Sequence, residues 1–281
     1  MNTLAFIDAA LDEDIGPGDV TTLATVPLSR EGRGVIVAKQ ALVVCGQELA
    51  RRVFARLSER MGAEVRYLPL VPDGAAVRMG DEIAHLEGSL ATLLVGERLA
   101  LNLLMKLSGI ATTTRRHVDA AGPTGPRVVD TRKTTPLLRD LEKDAVRCGG
   151  GVNHRRALYD GVMIKDNHIA AVGSIADAVA AVRRAAHHLL KVEVEVTDLD
   201  ELQQALDAGA DVLLLDNMGD DQLAEAVALA RALRPEVTLE ASGNMNPERI
   251  RAIRDLDLDV ISVGGVIHQA TWVDLSMRIT G

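Results

Sequence analysis

The segment from Asp130 to Ile169 concentrates side chains that suit a multiply charged anion. An even spread of the chain's 31 Lys and Arg residues over its 281 positions would place about four in forty residues, yet this segment holds eight. Three consecutive glycines at 149–151 interrupt it. Guanidinium and ammonium groups beside flexible glycine turns are typical of sites for carboxylates or phosphates. The segment therefore predicts a binding site for an acidic ligand.

Seven of the eight basic residues fall into two groups by pattern. Arg139, Lys143 and Arg147 recur at every fourth position among acidic residues, which favours a solvated helix face. The remaining candidates lie beside the ends of apolar runs or in the glycine-rich loop. These candidates, with a neighbouring histidine, are Arg132, Lys133, His154, Arg155 and Lys165.

Composition excludes several partner classes. A net charge of -9 and a pI near 5.3 argue against nucleic acids and anionic membranes, and five aromatic residues are too few for base stacking. No apolar run approaches the length of a membrane span. Cys45 and Cys148 form no CxxC motif and show no metal-ligand spacing. The acidic first residues lack the basic start of a signal peptide, so we expect a reducing cytoplasm.

The first part of the chain mixes helix and strand periodicity. A breaker at 15–18 follows the first helix, and Asp19 and Thr21-Thr22 are expected in a loop. Predicted helices cover 3–13, 47–60 and 89–120, and predicted strands cover 34–39, 41–44, 64–69, 76–78 and 82–87. On pattern alone, Arg98 is an exposed residue of the long helix. The pattern predicts an α+β sandwich domain over residues 1–110, with residues 270–281 packing back on it.

After Pro126, apolar β-branched runs alternate with helices. The runs are Val128-Val129 and those at 162–164, 192–196, 212–215, 237–239 and 260–263. The helices are predicted at 137–147, 175–187, 199–208, 220–233 and 247–253. Apolar strands that are each followed by a helix indicate a parallel sheet covered by helices. We therefore predict an α/β fold with an incomplete TIM-like barrel of about six strands over residues 111–269. An open doubly wound sheet is the alternative, although no GxGxxG motif supports a dinucleotide site.

Barrel enzymes carry their chemistry where strands end and loops begin. Here the early strand ends supply cations, the middle ones supply Glu195 and Asp216, and the last ones supply small loops. The polar strand ends are Asp130, Arg132, Lys133, Lys165, Asp166, Glu195, Asp216, Asn217, Glu240, Ser242, Gly243, Asn244, Gly264 and Gly265. The two middle carboxylates suit Mg²⁺ or sugar hydroxyls, and the glycine loops suit a phosphate. A phosphorylated sugar joined to a carboxylated partner fits this order.

The motifs at these positions resemble one known family. They are EDIGPGDVTT at 13–22, ERLALNLLMKLSGIAT at 97–112, DTRKTTP, EKDAVRCGGGVNHRRALYDGVMIKDNHI, VEVEV, LLDNM, LEASGN and ISVGG, in order along nearly the whole chain. Together they are similar to the quinolinate phosphoribosyltransferases, also called nicotinate-nucleotide pyrophosphorylases (carboxylating). Leu137 departs from the resemblance, because the family usually has glycine after Thr-Thr-Pro, and it could stiffen the turn beside Lys133.

The resemblance implies a pentosyltransferase of NAD biosynthesis. Quinolinate and phosphoribosyl pyrophosphate would give nicotinate mononucleotide, CO₂ and pyrophosphate, with Mg²⁺ held near Glu195 and Asp216. By similarity, Arg132, His154, Arg155 and Lys165 would hold the quinolinate carboxylates, and Arg98 would join them from a neighbouring subunit of a homodimer or higher oligomer. Lys133 would meet the pyrophosphate-bearing substrate, and Glu195 and Asp216 the ribose. The 5′-phosphate would lie at Ser242, Gly243, Asn244 and Gly264. The catalytic set would be Lys133, Lys165, Glu195 and Asp216.

Three rival functions remain open from the sequence. A related phosphoribosyltransferase, of the branch found with molybdate transport, would act on another ring acid. A Schiff-base aldolase would use Lys165 with a depressed pKa, because this lysine ends a barrel strand near sugar-phosphate loops. A non-catalytic phosphate-binding barrel would have no use for Glu195 and Asp216 beside the whole cationic set.

Overall fold

The computed structural model describes residues 3–280. The helices are α1 (Thr3–Ile15), α2 (Val20–Thr25), α3 (Gln47–Met61), α4 (Leu90–Ala121), α5 (Arg139–Cys148), α6 (Asp166–Val172), α7 (Ile175–Ala185), α8 (Leu199–Asp207), α9 (Asp220–Leu233), α10 (Pro247–Ile253) and α11 (Gly265–His268). The strands are β1 (Glu31–Ala38), β2 (Leu42–Val43), β3 (Val65–Pro69), β4 (Ala76–Val77), β5 (Glu82–Ser89), β6 (Arg127–Val129), β7 (Val162–Ile164), β8 (Val192–Val196), β9 (Val212–Asp216), β10 (Thr238–Ser242), β11 (Val260–Ser262) and β12 (Leu275–Thr280).

The chain forms two compact units. Of the described residues, the first unit contains 3–113, 136–150 and 270–280, and the second contains 114–135 and 151–269. The prediction assigned 111–269 to the barrel without interruption, whereas the structure groups 136–150 with the first unit. Glu142 of α5 explains this grouping, because its buried carboxylate pairs with Lys106 Nζ of α4 at 2.9 Å. The solvated helix face predicted for α5 is also wrong at Lys143, which is only 4% exposed.

An antiparallel sheet forms the body of the first unit. Its strand order is β12-β1-β5-β3, and the C-terminal strand β12 pairs along β1 from Arg33–Thr280 to Ala38–Leu275. Helix α3 packs beside β3, where Phe54 stacks on Tyr67 with ring centroids 6.1 Å apart. Burial of these rings and of the apolar stripe of α3 is the main force that holds helix to sheet. The last strand of the chain thus completes the sheet of the first unit.

The loop predicted after the first helix contains a short helix instead. Asp19 caps α2: its Oδ1 accepts the amide hydrogens of Thr21 and Thr22 at 2.9 Å each, and its Oδ2 accepts the Thr22 hydroxyl at 2.6 Å. These bonds lower the pKa of Asp19, the Thr22 hydroxyl contributing most. An aspartate followed by two threonines is an N-cap signal that the sequence argument read as loop.

Six parallel strands form the sheet of the second unit. Their order is β6-β11-β10-β9-β8-β7, so neighbours in space follow the chain except that β6 lies beside β11. The ladder does not close between β6 and β7, where the described residues show only a bridge from Val129 to Val152. The predicted incomplete barrel is therefore confirmed. Along β8, Val192, Val194 and Val196 are buried on one face, and the two glutamates share the other.

Two short helices of this unit were not predicted. Helix α6 follows β7 directly, and α11 follows β11. Both are too short to show a helical apolar period. Among residues 3–280, no helix is both long and apolar enough to cross a membrane.

Candidate active site

The carboxyl ends of the barrel strands surround a cavity of about 570 Å³ within the second unit. Its size is in the range of small-molecule sites. Eleven predicted site residues line it: Arg132, Lys133, His154, Arg155, Lys165, Glu195, Asp216, Ser242, Gly243, Asn244 and Gly264. Residues from six strand ends and from the glycine-rich loop thus meet at one mouth.

Asp130 fixes the loop that carries His154 and Arg155. Its carboxylate is fully buried at the end of β6. Oδ2 accepts a hydrogen bond from Asn153 Nδ2 at 2.7 Å, and Oδ1 accepts the amide hydrogen of His154 at 2.9 Å. A buried carboxylate bonded in this way is costly to disturb. Asp130 therefore positions the loop rather than facing the cavity itself.

Two guanidinium groups that line one part of the cavity repel each other. Burial lowers the pKa of Arg155, and repulsion from Arg132 lowers it further. Arg155 Nη1 donates to the carbonyl oxygen of Gly161 at 2.9 Å, which holds the side chain in place. Like charges at close range are unfavourable until an anion separates them. This end of the cavity therefore suits a ligand with more than one carboxylate.

Lys165 forms an ion pair with Glu195 across the mouth of β7 and β8. The carboxylate of Glu195 is only 11% exposed, whereas the lysine is 44% exposed. The backbone amide of Lys165 donates to His168 Nδ1 at 2.9 Å, so His168 supports this turn. The geometry therefore favours ion pairing over nucleophilic attack as the role of Lys165.

His154 lies between two buried carboxylates that the sequence argument left out of the site. Its Nε2 is 3.4 Å from Glu193 Oε2 and 3.5 Å from Glu240 Oε2. Burial alone would lower the pKa of His154, but the two glutamates outweigh it and raise the pKa to about 10. The Arg155 amide opposes them, because it donates to Nδ1 at 2.7 Å and favours a ring unprotonated there. An imidazolium has no lone pair at Nδ1, so His154 becomes cationic only with loss of this amide bond, and the two glutamates favour that cation.

The loop after β10 brings its backbone close to the cavity. Gly243 has φ +94°, and a Cβ at this position would lie 2.2 Å from Asn217 Oδ1. Only glycine fits this contact without displacing Asn217, which itself has φ +56°. At the neighbouring strand end, a Cβ on Gly264 would lie 3.0 Å from Lys133 Cδ. Small residues here leave main-chain groups accessible to a ligand.

Arg98 does not line this cavity. It belongs to the first unit, on α4, where it is exposed and borders a smaller hollow of about 330 Å³ with Asp14 and Asp19. The predicted donation of Arg98 from a neighbouring subunit stays a prediction.

Glu193 and His268 were not predicted to belong to the site, and Glu240 was predicted only as a polar strand end. His268 on α11 lines the cavity beside Gly264, and Glu240 lines it from β10. The two-residue period of VEVEV was the available signal for Glu193, because it places Glu193 on the same strand face as Glu195. For His268, the sequence offered no signal, since α11 is four residues long.

Comparison with known proteins gives a consistent result. The profile described as "Quinolinate phosphoribosyl transferase, C-terminal domain" matches residues 110–278, and the corresponding N-terminal domain profile matches residues 19–108. A "Probable nicotinate-nucleotide pyrophosphorylase [carboxylating]" of Synechocystis is 45% identical over 96% of this chain and 90% of its own length. The "Nicotinate-nucleotide pyrophosphorylase [carboxylating]" of Mycobacterium leprae is 41% identical over 97% of this chain and 95% of its own length.

A solved structure shows the same similarity in three dimensions. The nicotinate-nucleotide pyrophosphorylase from Francisella tularensis superposes with a TM-score of 0.92 at 36% identity. The match covers 99% of this chain and 96% of that one. Both units of this chain therefore have counterparts in that protein.

Proposed function

The chain belongs to the quinolinate phosphoribosyl transferase family, and from that premise we propose that it makes nicotinate mononucleotide from quinolinate and phosphoribosyl pyrophosphate. CO₂ and pyrophosphate would be the other products, in de novo NAD biosynthesis. The observation that carries the proposal is the arrangement of charge in the cavity. The side chains of Arg132, Arg155, His154 and Lys165 line it together with the carboxylates of Glu195, Asp216 and Glu240 and with the small loops.

The cationic part fits the ring diacid. Quinolinate has two adjacent carboxylates, and Arg132 and Arg155 repel each other in the structure. A dianion between them converts this repulsion into charge-assisted hydrogen bonds, which arginine can form with both carboxylate oxygens. His154 and Lys165 add two further positive groups. We infer that the second carboxylate of quinolinate is what distinguishes it from nicotinate in this site.

The remaining part fits the sugar phosphate. As the bond between the ribose carbon and pyrophosphate breaks, positive charge develops on the carbon and the electron pair leaves with pyrophosphate. Glu195 and Asp216 would stabilise the ribose cation, and Lys133 the departing pyrophosphate. The ring nitrogen then bonds to the ribose carbon and becomes cationic. That charge stabilises the electron pair left on the ring when CO₂ departs, until a proton replaces it.

The 5′-phosphate is proposed to lie in the loops at the ends of β10 and β11. Ser242, Gly243 and Asn244 line the cavity with Gly264, and neither glycine can carry a side chain without displacing Asn217 or Lys133. Main-chain N–H groups in such loops bind phosphate oxygens well. This assignment places the phosphate and the ring acid at separate strand ends.

Magnesium would be held by Glu195 and Asp216. Both are oxygen donors at the ends of adjacent strands, and both line the cavity. Mg²⁺ commonly takes one or two protein carboxylates and completes its shell with water and substrate phosphates, so the pair fits. When bound, the ion would neutralise charge on the pyrophosphate. Glu195 would then have to share its carboxylate between the ion and Lys165.

We further propose a homodimer or larger assembly in which Arg98 reaches the partner's cavity, and action in the cytoplasm. Arg98 is exposed, and it does not line its own chain's cavity. Both cysteines are free thiols in the structure, which is usual in a reducing compartment.

The decisive experiment follows both products. Purified protein is incubated with phosphoribosyl pyrophosphate, Mg²⁺ and quinolinate labelled in the carboxylate next to the ring nitrogen. Labelled CO₂ and nicotinate mononucleotide should appear in equal amounts, and nicotinate should not replace quinolinate. Lys165→Ala should abolish the reaction. Lys191→Ala is the matched control, because Lys191 is an exposed lysine just before β8, at the opposite end of a barrel strand. Product from nicotinate at the same rate would refute the proposal.

A further inference from the structure

Three potential metal ligands meet in the first unit, and none of them lines the cavity that the proposed reaction uses. They are the sulfur atoms of Cys45 and Cys148 and a carboxylate oxygen of Asp73, all within 4.8 Å of one another. Cys45 lies between β2 and α3, Asp73 in the turn before β4, and Cys148 at the end of α5. Only the fold brings these distant residues together, which is why ligand spacing in the sequence gave no sign of them.

The backbone around this cysteine–aspartate cluster is held from several sides. The amide of Cys45 donates to Ser108 Oγ at 2.9 Å, and the same hydroxyl donates back to the Cys45 carbonyl at 3.2 Å. Asp73 Oδ1 accepts the amide hydrogen of Gln47, the first residue of α3, at 3.1 Å. The amide of Gly74 donates to the Val44 carbonyl at 2.8 Å. The ligand-bearing turns are therefore fixed before any ion binds, which reduces the cost of ordering them.

The charges and exposure of the cluster favour a cation. The carboxylates of Asp73 and Asp144 both act on the two sulfur atoms, with Arg147 as the opposing charge on Cys148. Cys45 is 3% exposed, Cys148 is half-buried and Asp73 is exposed, so the cluster has a buried floor and a side open to solvent. An ion can thus enter from the Asp73 side.

We propose that Cys45, Cys148 and Asp73 form a binding site for a zinc-type divalent cation. Two sulfur ligands select soft and borderline cations such as Zn²⁺ over Mg²⁺ and Ca²⁺, which prefer oxygen. Three protein ligands leave the fourth tetrahedral position to a water molecule. Each thiol releases its proton to solvent as its sulfur bonds to the ion, so affinity rises with pH. The ion would tie the end of α5 to the β2–α3 turn, at the point where the glycines leading to His154 begin.

Cobalt tests the site through a signal that only sulfur ligands give. Metal-free, fully reduced protein with two titratable thiols is titrated with Co²⁺, and then with Zn²⁺ in competition. Thiolate-to-cobalt charge-transfer absorption should saturate at one ion per chain, and Zn²⁺ should remove it. Histidine and carboxylate sites, including the group of His154, Glu193 and Glu240, cannot produce this band.

Variants then assign the ligands. Cys148→Ser and Asp73→Asn should each weaken Zn²⁺ binding at least about tenfold. Loss of a residue that only hydrogen-bonds to a metal ligand already costs about tenfold in metal affinity, and loss of a ligand should cost no less. Asp144→Asn is the matched control: it removes a nearby negative charge but no ligand, so it should weaken binding less than either. Cys45→Ser is compared only after its thermal unfolding matches the parent, since Cys45 is buried. Absence of the cobalt band in the parent, or unchanged Zn²⁺ affinity in Cys148→Ser, would overturn the proposal.

Discussion

Replacing Arg155 with alanine removes one of the two guanidiniums that repel each other in the cationic part of the cavity. Truncating one partner of a desolvated charge pair typically costs about 2–5 kcal/mol of binding free energy. Arg155 is half-buried, and its removal also relieves the repulsion with Arg132, so the lower end of that range applies. We therefore expect quinolinate to bind about thirtyfold more weakly, because about 1.4 kcal/mol of binding free energy is a factor of ten in affinity. A loss of at least about tenfold is the minimum that this reasoning predicts.

The same substitution should leave phosphoribosyl pyrophosphate almost unaffected, because we propose that its 5′-phosphate binds in the loops at β10 and β11. Arg156→Ala is the matched control. Arg156 is the next residue in the loop, is exposed, donates from Nη1 to the Tyr159 hydroxyl at 2.6 Å and does not line the cavity. Arg155→Lys keeps the charge but loses the planar fork, so its loss should be intermediate.

Calorimetric titration of each variant with each substrate measures the effect directly. Equal weakening of both substrates by Arg155→Ala would falsify the division into an acid pocket and a sugar-phosphate pocket. Equal damage from Arg156→Ala would show that the loop as a whole, rather than the Arg155 guanidinium, is what matters.

Three further predictions concern the same site. Borohydride added with a keto acid or sugar phosphate should leave the protein mass unchanged, because the amine of Lys165 is engaged in an ion pair with Glu195; a stable adduct on Lys165 would favour an aldolase. Mixed dimers of Arg98→Ala and Lys165→Ala chains should regain activity through one intact hybrid site, and no recovery in verified mixed dimers would mean that each site is built from one chain. Quinolinate affinity should fall as pH rises through the pKa of His154, which its glutamates raise to about 10; Glu240→Gln should move that fall to lower pH in calorimetric titrations, and an unmoved profile would exclude His154 as the titrating group.

Repetition along the chain made the barrel predictable. Each apolar run that ended in a polar residue indicated another strand followed by a loop and a helix. Because the carboxyl ends of parallel strands meet at one edge, these residues could be grouped before any contact between them was known. Asp216, at the end of β9, was found in this way, as was the Ser242-Gly243 turn after β10. The residues at the mouth of the cavity could thus be predicted from the strand ends alone.

Contacts that depend on closure of the fold were out of reach. Glu193 and Glu240 meet around His154 only because β8, β10 and the loop after residue 151 converge. Burial makes their interaction strong, but the sequence around a glutamate does not show whether its side chain is buried or exposed. The same holds for Cys45 beside Cys148, which the sequence argument dismissed for lack of ligand spacing.

Leu137 connects a departure in sequence to backbone strain that can be measured. It has φ +68°, in the left-handed region, and its side chain is 75% exposed. That conformation costs a residue with a Cβ about 1–2 kcal/mol, whereas glycine there loses about 0.5–1 kcal/mol of chain entropy. Leu137→Gly should therefore stabilise the protein by about 0.5–1 kcal/mol and raise the midpoint of thermal unfolding by about 1–4 °C. Leu189→Gly is the control, because Leu189 is 77% exposed without positive φ, and it should destabilise by about 0.5–1 kcal/mol. If both variants lose stability alike, the turn before α5 does not hold residue 137 in the left-handed region in solution, and strain is not the reason why a glycine suits this position.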